Sequence, residues 1–169
     1  MIKAIFFDAA GILYTRSGHT EQFALDLLEE NGFQRDVPPD QLERQLALKS
    51  QANRGLIGHD AYWDAFLEMR GVHNPDQRTS FTKRIVDYSN DVLPVTGAAE
   101  ALTALKARGL QLGIITDTMY PLEWKMRRLE KAGVAAFIDI VACSTELGVH
   151  KPDPEVYSYA LRQANLNPG

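Results

Sequence analysis

The run Ile2-Lys3-Ala4-Ile5-Phe6-Phe7-Asp8-Ala9-Ala10-Gly11-Ile12-Leu13 decides how the rest of the chain is read. From Ile2 to Phe7 it is short and almost continuously apolar. A parallel strand covered on both faces has this pattern, whereas a half-solvated strand alternates. The run ends on an acid, Asp8, and Gly11 follows where the chain must turn. A carboxylate at the end of a buried strand is costly unless something pairs with it. Taken alone, Asp8 is a turn or helix-cap residue. Its weight depends on what the distant segments bring to it.

Beyond Leu93-Pro94, strand and helix signals alternate. Gly97 to Arg108 predicts a helix closed by Gly109. Leu110 to Thr116 predicts a strand, and Leu122 to Ala132 a helix closed by Gly133. Phe137 to Ala142 predicts a further strand. Pro154 to Ala164 predicts a last helix, with Pro154 suited to its first turn. Strands alternating with helices at this spacing imply a parallel sheet with right-handed crossovers. Ligands of such sheets bind beyond the carboxyl ends of the strands. Those ends are Asp8, Thr116 and the region of Ser144.

Residues 16–92 have a different character. Phe23, Leu27 and Leu28 fall at helical spacing, and Asn31-Gly32 ends that helix. Pro38-Pro39-Asp40 opens a second helix, Gly58-His59-Asp60 a third and Pro75-Asp76 a fourth. Tyr62, Trp63 and Phe66 are read as the core of this bundle. The expected fold is therefore α/β: a core of residues 1–15 and 93–169, carrying an inserted helical cap of residues 16–92.

Bulk properties narrow the function classes. The 169 residues are 45% hydrophobic and 24% charged, ordinary values for a globular protein. Acids exceed bases, 22 to 18, and no Lys/Arg cluster is present, so a nucleic-acid partner is not expected. The single cysteine, Cys143, excludes an internal disulfide and is read as a half-buried structural thiol. No apolar run is long enough for a membrane span, and a cytoplasmic protein is the default expectation. The four histidines lack metal-ligand spacing, so no zinc site is expected.

Two segments give Asp8 its weight. Gly113-Ile114-Ile115-Thr116-Asp117 sets a hydroxyl at the end of the next strand. Gly148-Val149-His150-Lys151-Pro152-Asp153-Pro154-Glu155 sets a lysine before a proline turn, whose fixed backbone can aim it inward. In order and spacing, these three segments resemble the motifs of the haloacid-dehalogenase-like (HAD) hydrolase superfamily, in its subfamily with an early helical cap. The resemblance implies a Rossmann-like core and an aspartate nucleophile, Asp8. It implies that Thr116 bonds a phosphoryl or carboxylate oxygen and that Lys151 balances negative charge. It also implies Mg²⁺ held by the Asp8 carboxylate and the Ala10 backbone carbonyl. Arg16, Arg54, His59 and Asp117 are the expected substrate contacts, the substrate being a small phosphate compound.

The resemblance has two departures. The family's second acid, two residues after the nucleophile, is Ala10 here. That acid protonates the leaving group and activates water, a contribution of about 10²–10⁴-fold. An alkyl phosphate needs it, whereas an acyl phosphate, an acidic phenol or a halide does not. Haloacid dehalogenases also lack this acid, but usually carry Ser-Asn where this chain has Thr116-Asp117. Secondly, relatives continue past the Asn165–Gly169 region into a further strand and a fourth, acidic motif. On this expectation the chain ends before the last core strands and leaves a sheet edge open. The leading expectation is a Mg-dependent phosphatase. The alternatives are a catalytically impaired binding or regulatory protein and a 2-haloacid dehalogenase.

Overall fold

The computed structural model describes residues 2–167; Met1 and the Pro168-Gly169 end of the expected terminal turn lie outside the described residues. In chain order the elements are β1 (Ala4–Phe7), β2 (Tyr14–Thr15), α1 (Thr20–Glu30), α2 (Pro39–Asn53), α3 (His59–Glu68), α4 (Pro75–Asn90) and β3 (Leu93–Pro94). There follow α5 (Ala98–Ala107), β4 (Gln111–Thr116), α6 (Leu122–Lys131), a 3₁₀ turn (Ala135–Phe137), β5 (Ile140–Cys143), α7 (Ser144–Leu147) and α8 (Pro154–Gln163). No described helix is long and apolar enough to cross a membrane.

The strands β1, β4 and β5 form a parallel sheet in the order β1-β4-β5. Phe7 pairs with Ile114 and Thr116 with Cys143, so the chain segments bearing Asp8, Thr116 and Ser144 leave the carboxyl end of the sheet together. Alternation along β4 splits its side chains between two layers. Leu112 and Ile114 pack with Leu102 of α5 and Leu129 of α6. Ile115 packs on the opposite face with Ala142, Val156 and Ala160, the last two from α8. Gly113 has a packing reason: a Cβ there would lie 2.7 Å from the Phe6 ring and 3.0 Å from the Ile140 carbonyl.

Helices α1 to α4 carry an apolar cluster of their own, centred on Leu27, Leu28, Trp63, Phe66 and Ile85, all essentially inaccessible. The two connections between this bundle and the sheet run side by side. There β2 and β3 pair antiparallel, Tyr14 with Pro94 and Thr15 with Leu93.

The structure differs from the sequence expectations in three places. Cover on both faces was expected for β1, yet Ala4–Phe7 are each half-buried. Among the described residues β1 pairs only with β4, so its other edge lacks a neighbour. The strand expected from Phe137 begins at Ile140. The Asp139 side chain instead takes the Leu112 N–H at 2.8 Å and the Lys106 ammonium at 2.6 Å, and the ladder starts after it. Cys143, expected to be half-buried, is fully buried.

Candidate active site

Asp8 leaves β1 into a tight turn. Its Oδ1 accepts the Ala9 N–H at 2.7 Å. Its Oδ2 lies 3.2 Å from the Lys151 ammonium, and the carboxylate stays about half exposed. The Lys151 Nζ also donates to the Ile115 carbonyl at 3.3 Å, so one cation ties the ends of β1 and β4 together. Its backbone N–H donates to Asp117 Oδ1 at 3.1 Å. Asp117 thus anchors the loop that presents the lysine.

Thr116 ends β4. The residue is 1% exposed, and its Oγ1 has no hydrogen-bond partner among the described residues. A buried hydroxyl left unsatisfied costs about 1–3 kcal/mol. Such groups are uncommon in folded proteins, and each calls for a partner such as water, an ion or a ligand. The loop after Thr116 is fixed by Ser144. Its hydroxyl accepts the Thr118 N–H at 3.0 Å and donates to the Thr118 carbonyl at 3.3 Å.

A cavity of about 240 Å³ opens between the carboxyl end of the sheet and the helical bundle. Ala10, Arg16, Glu21, Asp117, Lys125 and Arg128 are among its lining residues. Arg16 donates through Nε to the Ser89 carbonyl at 2.8 Å. Arg54 and His59 do not line this cavity. Arg54 borders a separate surface hollow with Ser50, His150 and Asp153. His59 packs against Tyr120 and Trp124, with ring centroids 5.1 and 4.8 Å away. Burial there lowers its pKa, and the Arg128 charge adds to the effect against Asp60. Of the four expected substrate contacts, the structure gathers Arg16 and Asp117 at the cavity and leaves Arg54 and His59 on the seam between helices and sheet.

The oxygens near Asp8 suit a hard cation. The Ala9 carbonyl is used by the Leu13 and Tyr14 N–H groups, while these turn contacts leave the Ala10 carbonyl unused. No group of three His, Cys, Asp or Glu suited to a metal occurs among the described residues. A cation here would have few protein ligands, a mode that Mg²⁺ tolerates because it retains water.

Sequence patterns missed Tyr14, Lys125 and Arg128. Lys125 and Arg128 are 2% and 3% exposed, on the same stripe of α6 as buried Leu129. Cations at apolar positions of a helical period were the available signal.

A parallel α/β sheet with a lysine-paired aspartate after its first strand, facing a helical insert, defines the class of molecule. The chain belongs to the haloacid dehalogenase-like hydrolases, whose family model matches residues 2–169. It is 27% identical to the glyceraldehyde 3-phosphate phosphatase of Methanopyrus kandleri, over 99% of this chain and 72% of that protein. It is also 27% identical to (S)-2-haloacid dehalogenase 1 of Pseudomonas sp. (strain CBS-3), over 99% of this chain and 73% of the other. Among solved structures, the 2-haloacid dehalogenase of Pseudomonas syringae pv. tomato superposes with a TM-score of 0.65 at 25% identity, covering all of this chain and 75% of its own.

Proposed function

We propose that this chain is a phosphatase for a small phosphorylated metabolite, with Asp8 as nucleophile and Mg²⁺ as cofactor. The observation that carries the proposal is the pairing of Asp8 with Lys151 beside the strand end that bears the partnerless Thr116 hydroxyl. Its similarity to a named phosphatase over nearly its whole length adds support. One Asp8 carboxylate oxygen attacks phosphorus, and the substrate oxygen leaves with the bonding pair. The Thr116 hydroxyl donates to a phosphoryl oxygen. Lys151 offsets charge in a geometry set before the reaction, and Asp117 holds its loop in place. Mg²⁺, held by Asp8 and the Ala10 carbonyl, would neutralise phosphoryl charge. Water then attacks the aspartyl phosphate and releases Asp8 and inorganic phosphate.

Ala10 offers no proton to the leaving oxygen. Preferred substrates are therefore acyl phosphates and esters of acidic alcohols, whose anions leave unaided. The test is phosphate release from 4-nitrophenyl phosphate with Mg²⁺, compared between the wild type and Asp8→Asn. Release that disappears in the variant supports the proposal. No release from folded protein counts against it.

Ala10 also favours a second reading, 2-haloacid dehalogenation, in which halide leaves without a proton. The dehalogenase of strain CBS-3 shares the same identity with this chain, 27%, as the phosphatase of M. kandleri. Halide release from (S)-2-chloropropionate, with none of the phosphate esters turned over, would decide for it.

A further inference from the structure

Three cations meet at the end of the cavity formed by β2 and α6, and none has an acid among the described residues. The Lys125 ammonium donates to the Tyr14 hydroxyl at 2.9 Å. Arg128 donates to the Asn90 side chain at 2.8 Å and the Ser89 hydroxyl at 3.1 Å, all neutral acceptors. Arg16 uses its Nε on the Ser89 carbonyl, and its guanidinium carbon lies 5.6 Å from the centre of the Tyr14 ring. No ion pair among the described residues includes any of the three. Two carboxylates line the same cavity, and each is engaged elsewhere. Glu21 serves Lys49 and the Tyr62 hydroxyl, and Asp117 serves the Lys151 N–H.

Buried charge is ordinarily paired, because leaving it unpaired in a low-dielectric site is costly. Lys125 and Arg128 are almost wholly inaccessible, yet both border open cavity. Tyr14 registers the resulting field. Burial alone would raise its pKa, but Lys125, Arg128 and Arg16 together bring it below the usual phenol value. Arg128 is shifted down, first by burial and further by Arg16, against the opposing influence of Tyr14 and Tyr120. These shifts accord with a site that lacks its negative partner.

We infer that Arg16, Lys125 and Arg128 form a subsite for a second oxyanion of the substrate, a carboxylate or second phosphate. The inference rests on the phosphatase proposal and narrows its substrate class to small doubly anionic phosphate compounds. The same cavity is bordered by Ala10, two residues after the nucleophile, and by Asp117. Asp8 itself does not line the cavity, so on this inference the phosphoryl end of the ligand extends past Ala10 to Asp8 while the other end meets the cations. At about 240 Å³ the cavity suits a compact metabolite rather than a nucleotide. Planar guanidinium groups grip carboxylate and phosphate alike through paired N–H donors.

Calorimetry with non-hydrolysable ligands tests the subsite on the whole chain. The probes are inorganic phosphate, phosphonoacetate, 3-phosphonopropionate and methylenediphosphonate, titrated with Mg²⁺ into wild type, Lys125→Met and Lys125→Arg. At least one doubly anionic probe binds the wild type about tenfold more tightly than inorganic phosphate, as one charge-assisted contact allows. Lys125→Met removes that gain and Lys125→Arg keeps it. Preference for a phosphonocarboxylate identifies a carboxylate subsite, and preference for the diphosphonate a second phosphate. Equal binding of all four probes, or a gain that survives Lys125→Met, overturns the subsite and leaves the phosphatase proposal standing. Failure of every probe, inorganic phosphate included, to bind folded protein overturns both.

Discussion

At the residue scale, the site combines one satisfied group with one unsatisfied group. Asp8 has its counter-charge in Lys151, whereas the Thr116 hydroxyl is buried without a partner. Thr116→Val keeps the shape and removes the orphan oxygen. Losing an unsatisfied buried hydroxyl relieves a penalty of about 1–3 kcal/mol, so the variant melts at the same temperature as the wild type or higher. The same change removes a donor to the phosphoryl group, and kcat/KM falls about 10²-fold or more. Thermal denaturation and kinetics on one protein preparation check both halves. A variant that loses stability and activity together would mean that Thr116 is a packing residue.

At the element scale, the helical bundle meets the sheet layer through a few close contacts. The loop after α2 passes Gly55, whose φ is +69° and whose Cβ would lie 2.6 Å from the Thr145 carbonyl oxygen. Gly55→Ala adds left-handed backbone strain of about 1–2 kcal/mol and pushes this loop off α7. We expect lower stability and reduced turnover, because the bundle that covers the cavity is displaced. Unchanged kinetics in Gly55→Ala would show that this contact does not position the cover. The His59 contact with Tyr120 and Trp124 makes the seam sensitive to pH. Burial lowers the folded-state pKa of His59 below its unfolded value, which is about 6.5. Above that value the imidazole is neutral in both states and contributes no pH dependence. Below it the unfolded chain binds a proton that the folded chain resists, so stability falls as pH drops. The melting temperature is therefore lower at about pH 5.5 than at about pH 7.5, and His59→Phe reduces the difference. An identical difference in that variant would assign the effect to another group.

At the scale of the whole molecule, the order β1-β4-β5 places β4 in the middle with partners on both sides. Alternate amides of β1 point away from β4 and meet no strand among the described residues. Hydrogen exchange should be slowest in Leu112–Thr116 and at least partly fast in Ala4–Phe7, since exchange follows local pairing and burial. Uniform protection across β1 in the 169-residue chain would show that its open edge is covered by another chain.

Much of this architecture was legible along the chain. Periodicity marked α1 to α4 and the alternation after Leu93, because local backbone preference and one-sided burial repeat every few residues. Strand ends with turn-forming residues placed Asp8 and Thr116, and the proline-fixed loop placed Lys151. The tertiary structure decided what depends on packing between distant segments. It paired β2 with β3, left β1 half-buried, and kept Arg54 and His59 out of the cavity. It also brought Lys125 to Tyr14 across 111 residues. A helical period reports that a face is buried, but not what lies opposite it. That is why the sequence reading passed over the cations of α6, which the fold sets against the cavity.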